Sequence, residues 1–162
     1  MNEMREPNRR ILVVSDSHGN HVRLQRIIDE AGDFDFLVHC GDGAPDLMHV
    51  DVPAGIPVVK VAGNVDLMRP VDLERLSEFT FSGKKIMVVH GDMYSVQKGF
   101  KSLLREGKSR DAEVIFFGHT HIQFTGVKSP LLFNPGAANS GSYGIVEIDQ
   151  GGKLYCSHYC LA

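Results

Sequence analysis

Three features of the chain predict an α/β fold with a mixed sheet. Short apolar, β-rich runs recur along it, and several stop at one or two small or polar residues. Segments with helical spacing separate some of these runs, as in units where a helix returns the chain to a parallel strand. A hairpin signal at Ser82-Gly83-Lys84-Lys85 places an antiparallel pair inside that alternation, so the sheet is expected to be mixed.

Taken in order, residues 11–14 (Ile-Leu-Val-Val) read as a buried strand that ends at Ser15-Asp16-Ser17-His18. Val22, Leu24, Ile27, Ile28 and Ala31 then recur at roughly helical spacing, with Asn20 as the N-cap and Gly32 as the stop. A second strand at 36–38 precedes Gly41-Asp42, residues 45–50 predict a short helical turn, and the proline-bounded stretch 53–57 breaks the chain. Residues 58–61 give a third strand before Gly63-Asn64, and the hairpin pairs 79–81 with 86–89, which ends at His90. Val96, Phe100, Leu103 and Leu104 predict a second amphipathic helix, followed by a strand at 114–117 that runs into Gly118-His119-Thr120-His121. Beyond Gln123 the runs 124–127, 131–133, 143–148 and 154–159 alternate as short strands and predict a β-meander.

A length of 162 residues, 43% hydrophobic and 23% charged, fits one domain with a core able to hold polar groups rigidly, assigned to residues 10–162 behind a flexible tail at 1–9. The net charge of −3 and the scattered basic pairs, such as Arg9-Arg10 and Lys84-Lys85, argue against a surface that grips long nucleic acid. No apolar stretch reaches the length of a signal core or a membrane span, so a cytoplasmic protein without a membrane partner is expected. Cys40, Cys156 and Cys160 have no Cys-x-x-Cys spacing, which fits idle thiols in a reducing compartment. The oligomeric state is open, with a homodimer one option.

Five of the apolar runs deliver a side chain that can hold a metal: Asp16 and His18, Asp42, Asn64, His90, and His119 with His121. Ligands of α/β proteins collect at the carboxyl ends of strands. Singly, Gly-Asp and Gly-Asn mark ordinary turns, and a lone histidine is most simply a satisfied strand-end residue. Two imidazoles bracketing one residue straight after Ile115-Phe116-Phe117 are poorly explained by turns or packing. Seven N/O donors from five strands predict a two-metal site, with ions about 3.5–4 Å apart, and such pairs usually hydrolyse phosphate esters.

These blocks, in the order Asp16-Ser-His18, Gly41-Asp42, Gly63-Asn64-Val65-Asp66, His90-Gly91, Gly118-His119-Thr-His121 and Asn134-Pro135-Gly136, resemble the calcineurin-like metallophosphoesterases. The resemblance covers residues 11 to about 148 and is to the small bacterial and archaeal phosphodiesterase branch related to the retromer subunit Vps29. It implies a four-layer αββα sandwich with two mixed β-sheets. It also implies that Asp16, His18, Asp42 and His121 hold one metal and Asp42, Asn64, His90 and His119 the other, with Asp42 bridging.

Two dications contribute four positive charges, and Asp16 and Asp42 remove two of them. A metal-bridging hydroxide leaves roughly one, which matches a phosphodiester monoanion. The expected activity is therefore two-metal hydrolysis of a small phosphodiester, and the mixed imidazole, amide and carboxylate set suits Mn above all, then Fe, Ni or Zn. Where the larger phosphatases of the family carry a histidine that protonates the leaving alcohol, this chain has Val65. Asp66 remains as a catalytic candidate, or as a residue that orients a ligand or caps the turn. Asn20 and Arg69 are substrate-binding candidates at the rim, and His39 is equally a supporting residue or one satisfied by backbone. His21, His49 and His158 are assigned no function. The loop after Asn134-Pro135-Gly136 runs Ala137-Ala138-Asn139-Ser140 and lacks the family's proline and basic residue. Metallo-β-lactamase and amidohydrolase patterns fail on the residues around His119 and Asp16. Two rivals stand: a non-catalytic Vps29-like interaction scaffold, and a phosphomonoesterase or protein phosphatase.

Overall fold

Two five-stranded mixed sheets stack face to face in the computed structural model, which describes residues 6–126 and 128–162. The elements are β1 (Arg9–Val14), α1 (His21–Glu30), β2 (Phe36–His39), β3 (Val58–Lys60), β4 (Leu76–Phe81), β5 (Lys84–Val89), α2 (Lys101–Ser109), β6 (Val114–Phe116), β7 (Phe124–Gly126), β8 (Leu131–Asn134), β9 (Ser142–Ile148) and β10 (Leu154–Cys160). One sheet has the order β10-β9-β1-β2-β3 and the other β4-β5-β6-β8-β7. Each contains a parallel trio, β1-β2-β3 or β5-β6-β8, flanked by antiparallel strands.

Side chains alternate across a strand, and here both faces of the central strands are covered, which is why those strands read as unbroken apolar runs. Ile11 and Val13 point between the sheets, where they meet Ile86, Val88, Val114, Phe116 and Phe133. Leu12 and Val14 point the other way, onto Leu24, Ile27 and Ile28 of α1. In the second sheet Met87, Val89 and Ile115 pack outward against Leu103 of α2. The layers are therefore helix, sheet, sheet, helix, as expected. Asn20 caps α1 through its side-chain oxygen, which accepts the Arg23 N–H at 3.1 Å.

Several expectations are corrected. The four C-terminal strands form no meander: β7 and β8 belong to the second sheet, where β8 lies parallel to β6, while β9 and β10 form a hairpin on the first sheet. Period-two patterning marks each strand but not which sheet it joins. The tail expected over 1–9 lies outside the described residues at 1–5, and Arg9 already pairs with Ile148 in β1. Val127, the last residue of the run expected at 124–127, also lies outside the described residues. Val96 precedes α2 and packs beneath it from a loop. Among the described residues, no helix is long and apolar enough to cross a membrane.

The loops leaving β1 and β2 are joined by a buried chain of hydrogen bonds centred on His39. The Gly41 N–H donates to His39 Nδ1 at 3.1 Å, so the ring proton sits on Nε2, which donates to Ser17 Oγ at 3.0 Å. Ser17 Oγ–H in turn donates to Asp46 Oδ2 at 2.6 Å, which also accepts the Gly19 N–H at 2.9 Å. His39 is fully buried, and that burial drives its pKa from 6.5 down to about 4, against the pull of Asp66, Asp16 and Asp46.

Two predictions follow from this architecture. A Cβ at Gly144 would lie 2.3 Å from Phe133 Cζ in the inter-sheet core. Gly144→Ala should cost about 1–3 kcal/mol in urea unfolding, and Phe133→Leu in the same chain should recover part of it. A full loss retained in the double variant would refute that contact as the cause. Unfolded His39 binds a proton near pH 6.5 and folded His39 only near 4, so the stability present above 6.5 falls as pH drops, by roughly 3 kcal/mol at pH 4. His39→Gln should flatten this part of the unfolding profile; a slope unchanged by the substitution would contradict it.

Candidate metal centre

All six parallel strands end on the same edge of the sandwich, and the loops after five of them carry the predicted ligands. Asp16 and His18 follow β1, Asp42 follows β2, Asn64 follows β3, His90 follows β5, and His119 and His121 follow β6. Two groups of ligating atoms result, Asp16 with His18 and His121, and Asp42 with His90 and His119, each with its atoms within 4.8 Å of one another. Asp16 Oδ1 links them, 3.1 Å from His121 Nε2, 3.5 Å from His18 Nε2 and 3.9 Å from His90 Nε2.

Bringing the side chains inward requires unusual backbone. Asp16, His18, Asp42, His119 and His121 all have left-handed φ, between 47° and 70°. Such conformations persist only where surroundings over-determine them, and they cluster at functional sites. The surroundings here are extensive. The Asp16 N–H donates to Gly41 O at 2.9 Å and the His18 N–H to Asp42 O at 3.1 Å, sewing the first two loops together. Asp66 accepts three backbone donors, the Asp42 and Gly63 N–H at 2.9 Å and the Gly43 N–H at 2.8 Å, which ties the second loop to the third. Asn134, the last residue of β8, donates from Nδ2 to Gly118 O and Thr120 Oγ1, both at 3.0 Å. Two glycines are needed for close approach: a Cβ would lie 2.1 Å from Asp42 Oδ1 at Gly63 and 2.0 Å from Ser15 Oγ at Gly118.

The donor set is arranged for a cation. Asp16 is fully buried; Oδ2 accepts Ser15 Oγ–H at 2.5 Å and the His119 N–H at 3.1 Å, while Oδ1 has no hydrogen-bond partner among the described residues. An orphaned carboxylate oxygen facing imidazole nitrogens is costly unless positive charge sits before it. His90 Nδ1–H donates to Cys40 O at 2.9 Å, which turns Nε2 toward Asp42 Oδ2 at 3.2 Å and His119 Nδ1 at 3.2 Å. The nitrogens of His18 and His121 likewise face each other at 3.3 Å. Burial pulls the pKa of His90 down, but the bond to Asp42 and the charges of Asp16 and Asp42 raise it overall. Burial and neighbouring His90 lower that of His119. Burial opposes the ionisation of Asp42, yet contact with His90, the Val65 N–H and His18 carries its pKa below the ordinary carboxylate range. The carboxylates of Asp16 and Asp42 thus favour positive charge at this point, which a metal would supply. The residues fit two divalent ions with N/O ligands.

The remaining candidates divide. Asn64 lies exposed on the turn after Gly63, one residue before Val65, whose N–H donates to Asp42 Oδ1 at 2.8 Å. Asp66, expected as a catalytic candidate or as a residue that orients a ligand or caps the turn, directs both its oxygens at backbone amides. Asn20, expected at the rim, caps α1, and its Nδ2 donates to Asn139 Oδ1 at 3.2 Å. Arg69 lines a cleft beside the site, together with His18. His21 and His49 form an exposed ring pair away from both groups. His158 stacks on Phe133 and donates to Asn134 O at 3.1 Å, helping to hold β8. The loop after Asn134-Pro135-Gly136 braces the first metal loop: the Ala138 N–H donates to Ser15 O at 2.7 Å and the Asn139 N–H to Asp16 O at 3.1 Å. Ser15, Ser17 and Asp46 were not singled out from sequence. Their only signal is proximity to Asp16 and Asp42, since a serine or an aspartate after Gly-x-Pro is equally a turn residue.

The model of the calcineurin-like phosphoesterase superfamily domain matches residues 10–151. A probable metallophosphoesterase of Bacillus subtilis, YsnB, is 33% identical over 148 residues, 86% of this chain and 85% of its own. Solved structures share the fold. A predicted phosphoesterase of Streptococcus pneumoniae has a TM-score of 0.71 at 19% identity, covering 96% of this chain and 99% of its own. An archaeal phosphodiesterase gives 0.67 at 17% (93% and 99%), and Entamoeba histolytica Vps29 complexed with Zn²⁺ gives 0.66 at 19% (93% and 98%). Sequence match and clustered ligands agree: the chain belongs to the calcineurin-like phosphoesterase superfamily.

Proposed function

We propose that this protein hydrolyses small phosphodiesters with two divalent transition-metal ions, Mn²⁺ foremost and Fe, Ni or Zn in its place. The observation that carries the proposal is the buried, unpartnered Asp16 Oδ1 between two groups of converging histidines. Asp16, His18, Asp42 and His121 hold one ion, and Asp42, Asn64, His90 and His119 the second. When bound, such ions supply positive charge to the phosphoryl oxygens and acidify water. The chain's own part is positioning. Asp66 fixes the amides around Asp42 and Gly63, Cys40 O selects the His90 tautomer, and Asp16 Oδ2 anchors the backbone of His119. A phosphodiesterase among the structural neighbours and a probable metallophosphoesterase among the relatives support this reading.

The scaffold reading is favoured by the likeness to Vps29, and because that neighbour holds Zn²⁺, metal binding alone does not separate the two. Turnover does. Chelator-stripped protein should regain hydrolysis of a bis-aryl phosphate on addition of Mn²⁺, and Asn64→Ala should lower kcat by about 100-fold or more. Folded protein that stays silent with every first-row metal would overturn the phosphodiesterase reading and favour the scaffold.

Val65 sets a second prediction. Its side chain lines the cleft and has no proton to give, and a positioned donor is worth typically 10²–10⁴-fold. Rates should depend steeply on leaving-group pKa, with aryl esters far faster than alkyl ones, and Val65→His should narrow the gap by about tenfold or more. Equal rates across the series would sink the idea.

A further inference from the structure

Beside the metal centre runs a cleft of about 560 Å³, which opens at His18 and extends between the segment after Asp42 and the segment after Asn64. That volume lies within the range of about 300–1,000 Å³ typical of sites for small organic ligands. Of the residues that would hold the metals, His18 alone lines the cleft, so a phosphoryl group held there would meet it at that end and leave the remainder to whatever the phosphate is esterified to.

The walls state what that group must be. Met48, Val65 and Leu73 give them an apolar character. Met48 is 78% exposed and Val65 41%, and just beyond them Leu67 and Met68 are 49% and 82% exposed. Large apolar side chains this open, gathered on the two segments that flank one cleft, mark a surface meant to be covered. The same cleft is lined by Lys60 and Arg69, and among the described residues neither is in an ion pair. Of the acids on its walls, Asp66 has both oxygens committed to backbone amides, and Asp46 accepts from Ser17 and Gly19. Asp72 stands open to solvent. The two cations are therefore free to meet an anion that is not the scissile phosphate.

Resting on the phosphodiesterase reading, we propose that this cleft is a specificity subsite. It takes a diester whose organic body has an apolar face of nucleoside size and carries a second phosphate, packed on Met48, Val65 and Leu73 and read by Lys60 and Arg69. Binding energy gathered on such a remote group positions the scissile phosphate over the metals.

The test compares three p-nitrophenyl esters with Mn²⁺-loaded protein: bis-p-nitrophenyl phosphate, a nucleoside 5′-(p-nitrophenyl phosphate), and the same nucleoside ester bearing a 3′-phosphate. The leaving group is common to all three, so differences report the body. The 3′-phosphorylated ester should show a kcat/KM at least about tenfold above that of the unphosphorylated nucleoside ester. The double variant Lys60→Ala, Arg69→Ala should cut that ratio about tenfold, mainly through KM. Calorimetric titration of the same metal-loaded proteins with nucleoside 3′,5′-bisphosphate provides a readout without turnover, and binding should weaken about tenfold in the double variant. A ratio near one, or bisphosphate binding that the double variant leaves unchanged, overturns the subsite. Loss of all hydrolysis, with bisphosphate binding still sensitive to Lys60 and Arg69, would remove the phosphodiesterase reading and keep the subsite.

Discussion

Everything at the metal centre depends on two sheets whose parallel strands stop at the same edge. A parallel strand ends where its side chains can no longer alternate between two covered faces, and here six do so together, three from each sheet. Stacking the sheets on Ile11, Val13, Val88, Phe116 and Phe133 fixes their spacing, and with it the distance across which loops from opposite sheets must meet. His121 from one sheet reaches Asp16 from the other at 3.1 Å, a contact neither sheet could make alone.

That geometry takes the carboxylates of Asp16 and Asp42 and the ring of His90 out of water, while His18 and His121 stay open to it. The uncompensated oxygen of Asp16, the facing nitrogens of His90 and His119 and the raised pKa of His90 all express one surplus of electron-pair donors at the buried end of the site. The surplus is tolerated because a shell of ordinary hydrogen bonds holds it: Ser15, His39, Ser17, Asp46, Asp66 and Asn134 make no claim on a metal and engage the loops from behind.

Much of this was legible in the chain. Residues 11–14 announced a doubly covered strand because every position is apolar, and Gly118-His119-Thr120-His121 announced ligands because neither packing nor turn chemistry accounts for two imidazoles there. The sheet membership of β7 to β10 was not legible, since pairing between strands far apart in sequence leaves no local mark. Asp66 was ambiguous for a related reason: an aspartate next to a turn looks the same whether it donates a proton, caps or clasps, and only the three amides aimed at it decide. The His39 chain was hidden because its members come from the end of β2, the loops after β1 and β2, and a 3₁₀ turn at Ala44–His49.

The Asp66 clasp has a consequence for how this fold can change over time. It links the loops after β2 and β3 through main-chain amides, which every amino acid except proline possesses. The clasp thus tolerates changes of the side chains those loops display, except at Gly63, where a Cβ would lie 2.1 Å from Asp42 Oδ1. Asn64, whose side chain is exposed, can therefore be exchanged while Asp66 keeps the loops after β2 and β3 in outline. What this crown of loops presents and what keeps it in shape are, at Asp66, the work of different residues.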